Sequence, residues 1–137
     1  MSVIVYNSSG NNSAKKLQRF FEIEGLTGSI EKYRTIEELS CRLSRTEYGQ
    51  DIAVIFINGM QEFHRMLSIK KFLNGMRIIL ILPDRSAEIV AAGYKLYPRF
   101  IGYSDGDFND VMIVLRKMIK LMECKSILTE FPSSRLN

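Results

Sequence analysis

Five short apolar runs alternate with five stretches whose apolar residues recur at helical spacing. Two of those runs have no polar position at all. Ile52 to Ile57 and Ile78 to Leu82 are continuously apolar. A strand with one wet face alternates apolar and polar residues. A strand that is apolar throughout has both faces covered, as in a parallel sheet sandwiched between helices. The alternation therefore predicts the α/β class, a (βα)5 doubly wound five-stranded parallel sheet.

The first strand is expected at Val3 to Tyr6. A helix follows over about 13–24, with Ala14, Leu17 and Phe21 on one stripe, Phe20 widening it, and Gly25 and Gly28 as its stop. A short strand is expected near 29–33. The second helix opens on Thr35-Ile36-Glu37-Glu38, a capping box, with Ile36, Leu39 and Leu43 as its core stripe. The third strand is Ile52 to Ile57, followed by one helix over about 60–73 that stops at Asn74-Gly75. The fourth strand is Arg77 to Leu82. A helix then begins near Ser86 and fades between Gly93 and Leu96, ahead of Pro98. The fifth strand covers 99–103. The fifth helix covers about 107–125, with Val111, Leu115, Met118 and Met122 as its core stripe. Residues 1–125 read as one domain and 126–137 as a tail or linker.

Composition narrows the function classes. Hydrophobic content of 46% and charged content of 25% are those of an ordinary globular domain. No apolar run spans a bilayer, and the chain opens directly into a strand with no basic leader. A cytoplasmic protein without membrane contact is expected. Cys41 and Cys124 form no CxxC or Cys/His cluster; two buried or partly buried thiols are expected, with a disulfide between them as the alternative. The net charge of +4 comes from dispersed pairs such as Lys15-Lys16, Lys70-Lys71 and Arg116-Lys117, with no nucleic-acid motif. No metal-ligating cluster and no cofactor are expected.

In a doubly wound sheet, ligands and catalytic groups gather at the carboxyl ends of the strands. Those ends read Tyr6-Asn7-Ser8, Phe56-Ile57-Asn58, Leu82-Pro83-Asp84 and Tyr103-Ser104-Asp105. They carry amides, hydroxyls and bulk, and no catalytic set. His64, the lone histidine, has no Ser/Asp or Cys partner in sequence and reads as a surface residue. Asp105-Gly106-Asp107-Phe108-Asn109-Asp110 begins like a calcium loop. It then has Asp110 where the loop needs glycine and Arg116 where it needs glutamate. It reads instead as a turn, with Asp107 capping the fifth helix and Asp110 favouring its dipole.

The element order, with Asp51 to Phe56, Met76 to Pro83 and Phe100 to Leu115, resembles the response-regulator receiver domain over about 3–125. The resemblance implies a flavodoxin-like fold and a phosphorylation site, but the residues depart from that site together. Tyr6 and Asn7 stand where a receiver has its Mg²⁺-binding acids. Phe56 stands at the phospho-acceptor aspartate, Leu82 at the hydroxyl position, and Tyr103 or Ser104 at the lysine. A phenyl ring is no nucleophile, and an asparagine brings no charge to offset Mg²⁺. The chain thus resembles a degenerate, pseudo-receiver domain: a non-catalytic signalling module acting by protein contact. The resemblance implies a protein partner, including a homodimer through the fourth helix, fifth strand and fifth helix. Tyr94, Tyr97 and Phe100 are the apolar candidates there. Five apolar residues in a row, Val111 to Leu115, exceed one buried helix face, which leaves Met112 with Ile119 expected outside.

One alternative belongs to another class. Ser8, Ser9, Gly10, Asn11, Asn12 and Ser13 resemble the FMN-phosphate loop of flavodoxins. Hydroxyls, backbone amides and a helix N-terminus there could hold FMN or another phosphate-bearing ligand. The simpler reading is a polar turn whose Asn12 or Ser13 caps the first helix.

Overall fold

The computed structural model describes residues 2–9, 12–25, 30–45, 51–106 and 108–130, and side chains within 2–9, 15–25, 30–45, 51–106 and 108–122. Five strands, β1 (Ser2–Tyr6), β2 (Ile30–Tyr33), β3 (Asp51–Phe56), β4 (Arg77–Leu82) and β5 (Phe100–Tyr103), form one all-parallel sheet in the order β2-β1-β3-β4-β5. The α/β fold class and flavodoxin-like strand order follow directly. Among the described residues, six helices connect and cover the sheet: α1 (Asn12–Ile23), α2 (Ile36–Leu43), α3 (Met60–Leu67), α4 (Lys70–Leu73), α5 (Ala87–Gly93) and α6 (Asn109–Glu130). A 3-10 turn, Tyr94–Leu96, extends α5. Among the described residues, no helix is long and apolar enough to cross a membrane.

Register sorts the strand residues into two layers. Val5 lies beside Val54, Val54 beside Ile79, and Ile79 beside Phe100. On that face Val3, Val5, Ile52, Val54, Phe56, Ile79 and Ile81 pack against Leu17, Phe20 and Phe21 of α1 and Val111, Leu115 and Met118 of α6. The intervening residues Ile4, Tyr6, Ala53, Ile55, Ile78 and Leu80 pack against α2, α3, α4 and α5. The continuous apolar pattern of β3 and β4 thus has its expected cause: both faces are buried.

The capping box on α2 forms in a variant geometry. The Glu38 amide donates to Thr35 Oγ1 at 3.1 Å, and the Thr35 hydroxyl donates to the Glu38 carboxylate at 3.0 Å. Glu38 therefore grips the capping hydroxyl itself.

Two boundaries differ from the sequence expectation. The single helix expected over 60–73 is two, α3 and α4. The Ser68 hydroxyl donates to the Arg65 carbonyl at 2.6 Å, and the Ser68 and Ile69 amides bond three residues back, to Arg65 and Met66. That tighter turn swings buried Ile69 and Leu73 into the core. At the other end, α6 continues to Glu130, five residues into the segment read as a tail. Nothing before Pro132 forbids the helix. Pro132 disfavours helical backbone at the residue preceding it.

Candidate functional site

In this strand order the connections reverse direction between β1 and β3, and a ligand crevice is expected at their carboxyl ends. Tyr6 ends β1 fully buried beneath that point. Asn7, Ser8 and Ser9 follow it. Phe56 ends β3, with Ile57 and Asn58 beyond. Across the gap lies a residue that the strand ends alone did not reveal, Glu62 in the first turn of α3.

Glu62 gathers the polar groups of the crevice. Its carboxylate accepts from the Asn58 backbone amide at 2.9 Å and the Asn58 side-chain amide at 3.2 Å. It also accepts from the Tyr6 hydroxyl at 3.2 Å and from the Ser8 hydroxyl. Asn58 Nδ2 donates to Ser8 Oγ at 3.0 Å, and the Ser9 hydroxyl donates to Asn58 Oδ1 at 3.4 Å. Burial and the neighbouring Glu62 charge push the Tyr6 hydroxyl up to about 12. The sequence does hold a signal for Glu62. Gly59 precedes α3 and has no side chain to cap it. An acid in the first turn then takes the open amide, as in a capping box.

The arrangement bridges β1 and β3 with hydrogen bonds internal to the protein. Ser8 and Ser9 are engaged in that bridge. Gly10 and Asn11 lie outside the described residues, and Asn12 and Ser13 sit in the first turn of α1 with side chains outside those described. The reading of Asn12 or Ser13 as a cap therefore has its side chains in that same set.

Asn7 is held on one side only. Its amide donates to the Tyr33 carbonyl at 3.0 Å, and its Oδ1 accepts from the Ser9 amide at 3.1 Å and the Ser9 hydroxyl at 3.3 Å. Its Nδ2 is buried with no partner, as is Oε1 of Gln18. Both residues line a cavity of about 170 Å³ between β1, α1 and β2, together with Phe21, Lys32 and Arg34.

The remaining residues at the strand ends serve mainly in packing and local hydrogen bonds. Phe56 is 2% exposed, and its ring meets Phe108 edge-on at 6.1 Å. Phe108 adopts a left-handed backbone (φ 67) to deliver that ring and to start α6 with its carbonyl, which accepts from the Met112 amide at 2.9 Å. Leu82 is fully buried. Tyr103 lies under the Arg85 guanidinium at 4.2 Å, and Arg85 pairs with Asp105 at 2.8 Å. The Ser104 amide donates to the Leu82 carbonyl at 2.9 Å. Asp84 accepts from the Ser86 amide at 2.8 Å, which holds its carboxyl below the usual range. Asp107 lies outside the described residues. Among the described residues, no group of three His, Cys, Asp or Glu could hold a metal. His64 is exposed beside Phe63. Cys41 is a free thiol but an exposed one, against the expected burial, because it falls off the Ile36, Leu39 and Leu43 stripe of α2; the Cys124 side chain lies outside those described.

On the expected interaction surface, Tyr94 and Tyr97 are exposed and Phe100 is half-buried. The expectation for the fifth helix needs correction. Ile119 is 5% exposed and packs in the core with the stripe, while Met112 is half-buried. The helix is clasped between the sheet and α1, so its buried face is wider than a single stripe. Among its described side chains, the large apolar residues it leaves exposed are Ile113 and Leu121.

No protein family, curated protein or solved structure matches the chain.

Proposed function

We propose that this protein is a non-catalytic, receiver-like regulatory module that works through protein contact. The observation that carries the reading is Glu62. It sits at the crevice where this fold conducts its chemistry, and its carboxylate is occupied by donors from Tyr6, Ser8 and Asn58. The acceptor position is occupied by Phe56, a core ring. The contact surface is the face of α5, β5 and α6, where Tyr94 is 61% exposed, Tyr97 75% and Ile113 46%. Its partner is a protein, and a second copy of the chain is the occupant that the receiver resemblance implies.

The test joins chemistry and association. Wild-type protein is incubated with Mg²⁺ and acetyl phosphate, and its intact mass and light scattering are measured. The expected outcome is no phosphoryl adduct and a dimer that Tyr97→Asp with Ile113→Asp converts to monomer. Both positions are exposed, so the fold is retained. A stoichiometric acyl-phosphate adduct overturns the reading.

A further inference from the structure

A second concavity lies away from the strand ends. It is a groove of about 470 Å³ between α1 and α6. Phe20 and half-buried Met112 line it, and Ile23, 77% exposed, stands at its α1 end. Lys15, Lys16 and Arg19 of α1 and Arg116 of α6 add four cations. The one acid among its described lining residues, Glu24, is already taken: Arg116 donates to its Oε1 at 2.6 and 3.0 Å while lying over the Phe20 ring at 5.5 Å. Lys15, Lys16 and Arg19 have no carboxylate partner among the described residues, and all three are exposed. Four cations against one acid leave the groove at +3, most of the whole chain's +4.

We infer that this groove docks an acidic amphipathic helix of a partner protein. Apolar side chains at i, i+3 or i+4, and i+7 would cover Ile23 and Met112 above the buried Phe20 ring, and carboxylates flanking that stripe would pair with Lys15, Lys16 and Arg19. Charge complementarity selects the sign of the partner. Shape selects its class. Phe20 and Met112 are recessed between two helices, where a rod enters and a flat bilayer does not. Phe20 is 5% exposed and capped by Arg116, so no aromatic face is open for stacking a nucleic-acid base. Met112 adds an adaptable contact in the groove wall. This surface is separate from the Tyr94 and Tyr97 face, and the inference stands independently of the function proposed above.

The test is a selection from a displayed library of helical peptides about 18 residues long, about 27 Å of helix, with Glu, Lys, Gln and Leu mixed at every position. The full chain is the bait. The best binders are then titrated by fluorescence anisotropy against wild type, Lys15→Glu with Arg19→Glu, Ile23→Asp, and Tyr94→Ser with Tyr97→Ser. The expected binders carry a leucine stripe flanked by Glu. Their affinity should fall by about ten-fold or more in the first two variants and hold in the tyrosine variant. Circular dichroism checks that each variant is folded; Lys15, Arg19 and Ile23 are all exposed. No enrichment, or enrichment of acid-free or basic peptides, overturns the inference. So does affinity unchanged by Lys15→Glu with Arg19→Glu. Phosphatidylserine vesicles or a 20-nucleotide DNA binding as tightly as the peptides, with the same charge dependence, overturns it in favour of a membrane or a nucleic acid.

Discussion

Glu62 and Tyr6 show how one carboxylate can organise the polar groups at the strand ends. Donors from β1, from the loop after it and from the loop after β3 converge on a single carboxylate. Removing it leaves the hydroxyl of buried Tyr6 without that acceptor and unties the exposed Ser8 and Asn58 from α3. Glu62→Ala is expected to lower stability by about 1–3 kcal/mol, measured by urea unfolding at pH 7. Tyr6 reports the same change optically. Its hydroxyl is held up to about 12 from 10.0, first by burial and then by the Glu62 charge. A group whose neutral form is favoured on folding contributes stability fully below its unfolded value, and loses it as pH rises through the folded value. Wild-type stability should thus decline between pH 10 and about 12 as Tyr6 ionises. In Glu62→Ala the latest phenolate absorbance step should move to lower pH. A step that does not move would show that Glu62 leaves Tyr6 untouched.

At the scale of elements, the contact between β5 and α6 depends on Gly102. A β-carbon placed there would lie 2.5 Å from Val111 Cγ2 and 3.2 Å from Ile81 Cδ1. The glycine lets α6 approach β5 closely enough for Val111, Leu115 and Met118 to bury against the sheet. Gly102→Ala is expected to cost about 1–3 kcal/mol by overpacking, read as a lower melting temperature. Gly102→Ala with Val111→Ala should recover part of the loss, because the clashing methyl is gone. A double variant that is no better than the sum of the singles would place the strain elsewhere. The same packing explains Ile119. Spacing along α6 identifies one core stripe, but Ile119 joins the same buried cluster as that stripe, the strand residues and Leu17, Phe20 and Phe21 of α1.

At the scale of the whole molecule, charge is organised at the amino ends of the strands, opposite the crevice. Arg42 of α2 donates to Glu31 of β2 at 2.7 and 3.0 Å and to Asp51 of β3 at 3.3 Å. Asp51 also accepts from the Ser2 amide of β1 at 3.0 Å, and the Tyr33 hydroxyl donates to Glu31 at 2.7 Å. One guanidinium thereby ties the edge strand and a central strand to α2. The Arg42 hydrogen bonds hold the Glu31 carboxyl down to about 2 from 4.5. A depressed acid contributes stability above its unfolded value and loses it as pH falls through the folded one. The contribution should therefore be complete at pH 7 and fade between pH 4.5 and about 2. Arg42→Ala should cost about 1–3 kcal/mol at pH 7, given the partial exposure of Glu31. Its denaturation curve should converge on wild type near pH 2. A gap that persists at pH 2 would assign the effect to lost packing of the Arg42 stem.

The fold was legible in the sequence because its signals are local and redundant. β3 and β4 are apolar on both faces, α2 carries its own cap, and Leu17, Phe20 and Phe21 recur at helical spacing. Each follows from backbone periodicity and from where water is excluded, and neither depends on which strand lies beside which. That Tyr6, Asn7, Phe56 and Leu82 bring neither a Mg²⁺-binding acid nor a phospho-acceptor to the strand ends was equally legible, since identity alone decides whether a side chain can bind Mg²⁺ or attack phosphorus. Tertiary structure decided what surrounds those positions. Glu62 reaches Tyr6 and Ser8 across more than fifty residues of chain, and only the juxtaposition of β1 and α3 makes that contact. Likewise the break between α3 and α4, the burial of Ile119 and the cationic groove between α1 and α6 arise where distant elements meet. Hydrogen-bond geometry and surface concavity belong to pairs of elements, and a linear pattern records only one element at a time.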